Sequence, residues 1–436
     1  MQQDSLRGNK RIIRAWTFFD WANSAFQLSI TSAILPAYFA TVTKGGGSGI
    51  VSFFGYQVIN TSLYAWTVSA SFLLVACLSP LLSSVADYTG RRKLFMQLFT
   101  VLGVSGCMLL YFFDEQHLEL GILAFAMASV GYTGGLVFYN AWLPEIALPG
   151  DEDRISARGF ALGYTGAMIL LLINIAMLLQ PAFFGIANKA MAARLSFVSV
   201  GIWWGTFALI PFSALPGKLN SRKHAEYPLL NGYRELVKVW NEFRKIPYLQ
   251  IFLLGFFLVI MSVLTIMYMA ANFAKKEIGL PDTILIPTIL LIQVLGIVGS
   301  LLFARISKRM GNLNALKIGV FIWVLICMAA LYVHSAVTFI ALAAFVGLVM
   351  GAIQALTRST YTKLLPKTND HTSYFSFYDV TEKLAVVSGT FLFGLMETLT
   401  GSMRIAIVLL GVFFAGGYLT LVWLGKTKAK KYLSNT

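Results

Sequence analysis

About a dozen apolar segments, each roughly 20 residues long, follow one another along this chain of 436 residues. A helix rises about 1.5 Å per residue, so each segment is long enough to cross the ~30 Å hydrocarbon core of a bilayer. The sequence therefore predicts an all-α polytopic membrane protein with twelve transmembrane helices. The predicted spans are 14–42, 60–86, 92–112, 117–141, 156–180, 193–215, 248–275, 283–306, 314–334, 336–363, 374–399 and 403–426.

Composition supports this prediction, and the charge pattern orients the chain. Hydrophobic residues make up 57% of the chain, charged residues only 12%, and the mean hydropathy is +0.72, which excludes an ordinary soluble domain. The net charge is +15, but Lys and Arg collect in alternate loops, as in Arg91, Arg92 and Lys93. This pattern indicates membrane topology and no nucleic-acid partner. It places both termini in the cytoplasm, which requires an even number of spans.

The longest polar stretch between spans divides the chain into an N-terminal six-helix half, 1–215, a cytoplasmic linker, 216–247, and a C-terminal six-helix half, 248–436. Apolar residues at helical spacing in the linker, with Arg and Lys between them, predict an amphipathic helix on the cytoplasmic membrane surface. This helix either couples the halves or serves a regulatory or partner-binding role.

The two halves share residues at a fixed offset. Duplicated six-span halves are typical of secondary transporters, whose substrate site lies between the halves near the bilayer midplane. The residues that repeat, 217 positions apart, are Gly134, Pro149, Asp153, Ser156 and Phe160 in the first half and Gly351, Pro366, Asp370, Ser373 and Phe377 in the second.

The loop after the second span, from Ser83 to Lys93, resembles the signature loop of the major facilitator superfamily at Asp87, at Gly90 and in the basic run that follows. In that family the loop forms a latch on the cytoplasmic side. The physics is reasonable, because a carboxylate favours a helix N-terminus and Arg bridges to neighbouring carboxylates. The basic run also enforces topology. In the second half the equivalent loop has Lys308 where the first half has its acid.

Four further segments resemble the Atg22-like branch of that superfamily, also called the UMF1 family. They are Phe19–Phe26, Tyr139–Glu145, Ser156–Tyr164, and Gln354–Ser359 with Phe375–Asp379. The resemblance implies the major facilitator fold, and it suggests an amino acid as cargo, because the founding fungal member is associated with amino-acid release from the vacuole. The short loops are similar to those of a prokaryotic member, which implies an inner (plasma) membrane. A monomer is expected.

Polar residues inside spans are costly and tend to be functional. On the first span, Asp20, Asn23, Gln27 and Thr31 fall on one helical side, which we expect to face the central cavity. Asp20 there either binds a cationic group, takes up a driving proton, or forms a structural bridge with a nearby Arg.

On the tenth span, Arg358 either holds a substrate carboxylate or, as its place near the helix end favours, closes a cytoplasmic gate with Glu145 or Asp379. Asp379 and Lys383 on the eleventh span form an i, i+4 pair whose opposite charges can neutralise each other. Glu382 has no partner on its own helix. We expect it to pair with the basic run at Arg91 across the half interface, with a second proton site as the alternative.

These arguments give two sets of candidate residues. The substrate or proton candidates are Asp20, Asn23, Gln27, Tyr132, Tyr139, Tyr164, Gln293 and Gln354. The gate or latch candidates are Asp87, Gly90, Arg91, Arg92, Glu145, Arg158, Arg358, Asp379 and Glu382.

The predicted function is alternating-access transport of a small polar solute, an amino acid by resemblance, either proton-coupled or passive. The alternatives are a carrier of drug-like amphiphiles or lipids, and a transport-dead sensor or assembly protein. The sequence contains no Gly-x-x-x-x-Gly-Lys phosphate loop, which argues against ATP hydrolysis. Cys77, Cys107 and Cys327 all fall within spans, so neither a disulfide framework nor a metal site is expected, and no cofactor is implied.

Overall fold

A computed structural model describes residues 6–43, 50–218 and 228–427, and it confirms the predicted fold class. The described residues contain twelve helices that are long and apolar enough to cross a membrane. We refer to them as the first to the twelfth span. The first span is Lys10–Val42, built from three helical pieces. The others are Asn60–Thr89, Arg92–Leu109, Leu118–Asn140, Glu152–Leu179, Lys189–Ala214, Pro247–Phe273, Asp282–Met310, Asn312–Ala329, Ala336–Leu364, His371–Thr400 and Met403–Leu424.

Short helical pieces extend several spans. The fourth span continues into Leu143–Ile146, and the seventh continues as a π-helix, Ala274–Ile278. Single 3₁₀ turns, typical of helix ends, follow the third, fifth and ninth spans at Leu110–Phe112, Pro181–Phe184 and Ala330–Tyr332.

The middle of the first span is a π-helix. An α-helix, Lys10–Ala25, is followed by π-helical Phe26–Ile34 and then by a second α-helix, Leu35–Val42. The predicted polar side of this span assumed α spacing throughout, whereas Thr31 and Gln27 lie in the π segment; that the four residues face a central cavity stays a prediction. The Nε2 atom of Gln27 donates to the Tyr268 hydroxyl on the seventh span at 3.3 Å. Such π segments occur frequently at functional sites.

A β-hairpin between the first and second spans was not predicted. Strands β1, Ile50–Phe53, and β2, Tyr56–Ile59, pair antiparallel with Phe53 opposite Tyr56. Phe54 and Gly55 both have positive φ, 47° and 84°, as a type I′ hairpin turn requires. Phe-Gly is not one of the usual residue pairs for this turn, so residues 50–59 carry no typical hairpin signal.

A helix from Pro228 to Phe243, the linker helix, lies between the sixth and seventh spans. Gly232 packs against Val85 of the second span, where an added Cβ would lie 2.4 Å from Val85 Cγ2. At the other end, the rings of Trp240 and Phe243 lie 5.5 and 5.1 Å from that of Phe377 on the eleventh span. The linker helix therefore bridges spans from both parts of the chain.

Buried apolar residues form two large clusters. One takes its members from Leu6 to Leu215, and the other from Val239 to Leu424 with Ala141 added. The fifth span packs on the eighth and tenth, and the second packs on the eleventh, so these helices join the clusters. We call the side that carries Lys10, Arg92 and Leu424 the basic face. The division at 216–247 into two six-helix halves stays a prediction.

Candidate functional site

A buried charge cluster sits at the basic face, where the second, third and fourth spans meet. The Arg92 guanidinium donates to Asp87 Oδ1 from Nε at 3.1 Å and from Nη2 at 3.0 Å, and to Glu145 Oε1 from Nη1 at 3.0 Å. The three side chains are 4%, 0% and 2% exposed. Gly90, with φ of 68°, ends the second span and turns the chain toward Arg92. Charge-assisted bonds of this kind are about twice as strong as neutral ones.

The same cluster holds the start of the eleventh span. Asp87 Oδ2 accepts from the backbone N–H and the hydroxyl of Ser373 at 2.7 and 2.8 Å, and Oδ1 accepts from the Thr372 N–H at 3.3 Å. Arg92 also donates to the carbonyl of Asn369 at 3.0 Å. A carboxylate at a helix N-terminus satisfies free N–H groups and interacts favourably with the helix dipole. The prediction of a latch required these contacts, and the latch role itself stays a prediction.

His371 belongs to this cluster, although the sequence did not single it out. Its Nδ1 lies 2.8 Å from Glu145 Oε1, and the ring is buried. The available signal was its position two residues before Ser373, one of the repeated residues.

Three of the gate candidates lie outside this cluster, and their roles stay predictions. Arg91 is exposed and lies outside the cluster. Arg158 is also exposed. Ser156 faces the tenth span, and Arg158, two residues later, points about 200° away from it around the helix. Glu382 lies nine residues beyond Ser373, about 13 Å further along the eleventh span, and its carboxylate lies 3.8 Å from Lys383 Nζ.

A second buried charge pair joins the first and tenth spans. The Arg358 Nη1 and Nη2 atoms donate to Asp20 Oδ2 at 3.4 and 3.3 Å, and the Tyr139 hydroxyl donates to the same oxygen at 2.6 Å. Ser156 supplies two acceptors to the guanidinium, its hydroxyl and its carbonyl, each at 2.9 Å. Of the alternatives for Asp20, the structure shows the bridge to an Arg. Arg358 does not pair with Glu145 or Asp379 here, since Asp20 occupies it.

Aromatic rings enclose the Arg358 guanidinium. Its Cζ lies 4.2 Å from the ring centre of Phe160, 5.0 Å from Trp16 and 5.5 Å from Tyr139. Cation–π contacts of this kind gain strength where water is excluded, and Arg358 is 3% exposed. The cage fixes the direction of the guanidinium fork toward Asp20.

Gly159 provides the space for this pair, and we expect Gly159→Ala to destabilise the protein by about 1–3 kcal/mol, the usual cost of overpacking. The added Cβ would lie 2.3 Å from Asp20 Oδ2 and 2.9 Å from Arg358 Nη2. Denaturant unfolding of the purified protein measures the effect. The matched control is Gly394→Ala, where no other atom lies within 4 Å, and where Ala favours the helix. Equal stability of the two variants would contradict the proposed packing.

A third cluster, around Asp153, was missed by the sequence analysis. The carboxylate accepts from the Ser307 hydroxyl, from Asn312 Nδ2 at 2.7 Å and from Lys363 Nζ at 2.8 Å. The fifth span is thereby tied to the end of the eighth span, the start of the ninth and the end of the tenth. The internal repeat could have pointed to this cluster. It pairs Ser156, which lies near Asp153, with Ser373, which binds Asp87 of the latch. Both repeated serines lie at the contact between the two parts of the chain.

The other predicted cavity residues lie nearer the middle of the spans. The Tyr164 hydroxyl donates to Gln354 Oε1 at 2.5 Å, a bond between the fifth and tenth spans. Tyr132 and Gln27 line one small cavity. Asn23 is buried, and neither polar atom of its side chain has a hydrogen-bond partner among the residues the structure describes. Gln293 is buried in the eighth span. The roles of all these residues stay predictions.

Comparisons with known proteins agree with this architecture. Residues 8–151 and 149–433 match the protein family described as "Vacuole effluxer Atg22 like". The chain is 28% identical over 410 residues to the "Uncharacterized MFS-type transporter YxiO" of Bacillus subtilis, covering 94% of each chain. It is 24% identical over 458 residues to Autophagy-related protein 22 of Kluyveromyces lactis, covering 93% of this chain and 91% of the relative.

Solved structures show the same fold at low sequence identity. The human organic anion transporter MFSD10 (TETRAN) has a TM-score of 0.75 and 12% identity, covering 95% of this chain and 99% of that chain. The major facilitator superfamily transporter FucP, in the outward conformation, has a TM-score of 0.71 and 13% identity, covering 96% of this chain and 99% of that chain.

Proposed function

Because the chain belongs to the Atg22-like family of the major facilitator superfamily, we propose that it carries a small zwitterionic solute, an amino acid, by alternating access. The relatives and the structural neighbours are transporters, so the chain is a multi-pass membrane transporter and not an enzyme. The cargo and its site go beyond that statement and are argued from the Asp20–Arg358 pair.

The observation that carries the proposal is a buried pair of opposite charges contributed by different parts of the chain. Asp20 and Arg358 are 338 residues apart and lie within 3.3 Å of each other. An amino acid carries one carboxylate and one ammonium group, which match the Arg358 fork and the Asp20 carboxylate. The zwitterion can therefore replace each residue's partner without leaving a charge uncompensated, whereas an amphiphile with one charge cannot.

This exchange links binding to movement. While Asp20 and Arg358 hold each other, the first and tenth spans are tied together near the basic face. A solute that inserts between them takes over both charges, and the tie between the spans is released. A ligand shifts a conformational equilibrium only through such a difference in contacts between two states. We propose that residues 1–215 and 248–436 are the units that then move, with the latch at Asp87 as the second tie.

We expect an amino acid that is a substrate to raise the unfolding midpoint of the purified protein, and Arg358→Lys to remove the effect. Lys keeps the charge but loses the planar fork that binds a carboxylate with two hydrogen bonds. A ligand at about 100 times its Kd stabilises by about 2.7 kcal/mol, which thermal unfolding detects readily. The matched ligand control is the amide of the same amino acid, which lacks the carboxylate. Stabilisation by amphiphiles alone, or by no compound, would withdraw the cargo assignment.

For location, we propose a prokaryotic plasma membrane, a monomer, and a basic face in the cytoplasm. The support is the concentration of Lys and Arg at the face that carries Lys10 and Leu424, as the positive-inside rule describes. A C-terminal reporter that is active only in the cytoplasm tests the orientation.

A further inference from the structure

The eleventh span carries a second group of charges inside the membrane, apart from both the latch and the Asp20–Arg358 pair. Lys383 Nζ donates to Asp379 Oδ1 at 2.7 Å and lies 3.8 Å from Glu382. The side chains of Asp379 and Lys383 are 5% and 4% exposed, whereas that of Glu382 is 29% exposed. Two carboxylates thus share one ammonium group, which leaves one negative charge in excess.

One carboxylate oxygen of this group is left without a partner. Asp379 Oδ2 is buried and accepts no hydrogen bond from the residues that the structure describes. A buried charged oxygen without a hydrogen bond is costly, and the cost disappears when the carboxylate is neutralised. Lys383 cannot do this for both acids, since its shortest bond already goes to the other oxygen of Asp379.

The elements packed around the group add hydroxyls and rings near the carboxylates. Glu382 interacts electrostatically with the hydroxyls of Tyr132, Tyr268 and Tyr378 on the fourth, seventh and eleventh spans. From the second span, the Phe72 ring centre lies 6.0 Å from Lys383 Nζ.

Three charged groups that the structure describes on surrounding spans are bound elsewhere. Arg358 on the tenth span forms an ion pair with Asp20, although it also interacts electrostatically with Tyr378. Asp87 on the second span is held by Arg92, and Arg404 on the twelfth span is held by Glu277. The excess negative charge is therefore not balanced from these spans.

We propose that Asp379 and Glu382 together bind one proton, and that this is the coupling proton of the carrier. The proposal rests on the transport function proposed above and places the proton apart from the solute site. Glu382, the more exposed acid, exchanges the proton with water, and the carboxylate becomes a neutral carboxylic acid. When the proton leaves to water on the other side, the excess negative charge returns.

The position of the group on its helix explains how the proton acts on the gate. Asp379 lies six residues, about 9 Å, beyond Ser373, whose N–H and hydroxyl the latch holds. Both sites lie on one continuous helix, His371–Thr400. Moving this helix while it carries an excess charge through a low-dielectric region is costly, and protonation removes that cost.

The test is thermal unfolding of the full-length protein in lipid nanodiscs, from about pH 5 to about pH 9 at constant ionic strength, compared with Glu382→Gln. The proposal requires that the folded protein bind a proton that the unfolded chain has lost at the same pH, so the expected result is a stability that falls as the pH rises. The unfolding equilibrium constant changes by up to about tenfold per pH unit for one proton. Glu382→Gln leaves the neutral Asp379–Lys383 pair and is expected to lose this pH-dependent component of the stability. Lys383→Met leaves two acids without a base and is expected to shift the component to higher pH.

The matched control is Glu397→Gln, which removes an acid of the same helix that binds Lys276 Nζ at 2.5 Å, and which is expected to keep the wild-type profile. A profile unchanged in Glu382→Gln would overturn the proposal. A second result would also overturn it: stabilisation of the wild type at high pH by Na⁺ but not by N-methylglucamine, with no such stabilisation of Glu382→Gln. The group would then bind sodium and not a proton. Amino-acid stabilisation is measured separately on the same variants. Its absence, with the Glu382-dependent component present, would reject the cargo and leave the proton site standing.

Discussion

Replacing Arg358 with Met is expected to lower the free energy of unfolding by about 3–5 kcal/mol and to abolish stabilisation by an amino acid. The substitution leaves Asp20 buried with the Tyr139 hydroxyl as its remaining donor, and an uncompensated buried charge costs about that much. It also leaves the two acceptors of Ser156 without the guanidinium that now satisfies them. Denaturant unfolding at neutral pH measures the loss.

The double variant Asp20→Asn with Arg358→Met separates the charge from the packing. It removes both charges, so we expect it to regain a large part of the stability but none of the amino-acid binding. The matched control is Arg154→Met, whose partner is Asp151 in a pair exposed to solvent, and which should change the free energy of unfolding by less than about 1 kcal/mol. If Arg358→Met were as mild as this control, the pair would not be the tie between the spans that we propose.

The spans were predictable because hydrophobic length alone identifies a bilayer-crossing helix. Their ends were less predictable, since helices continue beyond the apolar part. The first span begins at Lys10, four residues before the predicted start, because the Asn9 side chain caps it by accepting from two backbone N–H groups. The fifth begins at Glu152 instead of 156, with Glu152 and Asp153 in its first turn, where acids favour a helix N-terminus. The capping residue and the acids of the first turn were both present in the sequence, but a hydropathy profile is not sensitive to either.

Pairing within a helix was predictable, whereas pairing between spans was not. Asp379 and Lys383 lie at i, i+4, and the bond between them is present at 2.7 Å. The partner of Arg358 is 338 residues away in the first span, whereas the sequence suggested Glu145 or Asp379. Only the packing of the tenth span on the fifth, with Gly159 leaving room, selects Asp20. The expected partner of Glu382 was Arg91 of another span, whereas its carboxylate lies 3.8 Å from Lys383 on its own helix.

The second large effect is expected at the latch, where Asp87→Ala should open the basic face. Asp87 accepts three hydrogen bonds from the start of the eleventh span and two from Arg92. Hydrogen bonds to a charged group contribute about 1.5–3 kcal/mol each. Loss of even two of them would raise the population of the open state by about 100-fold or more. Arg92 still binds Glu145 in the variant, so the fold should persist.

Thiol labelling measures this opening directly. Ser84 lies at the closed contact, with its hydroxyl 3.1 Å from that of Ser373, so Ser84→Cys in a background without Cys77, Cys107 and Cys327 reports access to the interface. A membrane-impermeant reagent should label this thiol much faster in Asp87→Ala than with Asp87 intact. In sealed vesicles it should do so only from the side that carries the basic face.

Asp151→Ala, which removes an acid of an exposed pair with Arg154, is the control. Equal labelling rates in the two variants would mean that Asp87 does not hold the halves closed. Faster labelling with unchanged unfolding would separate a gating role from a merely structural one, because a latch shifts the balance between two folded states and leaves the folded protein intact.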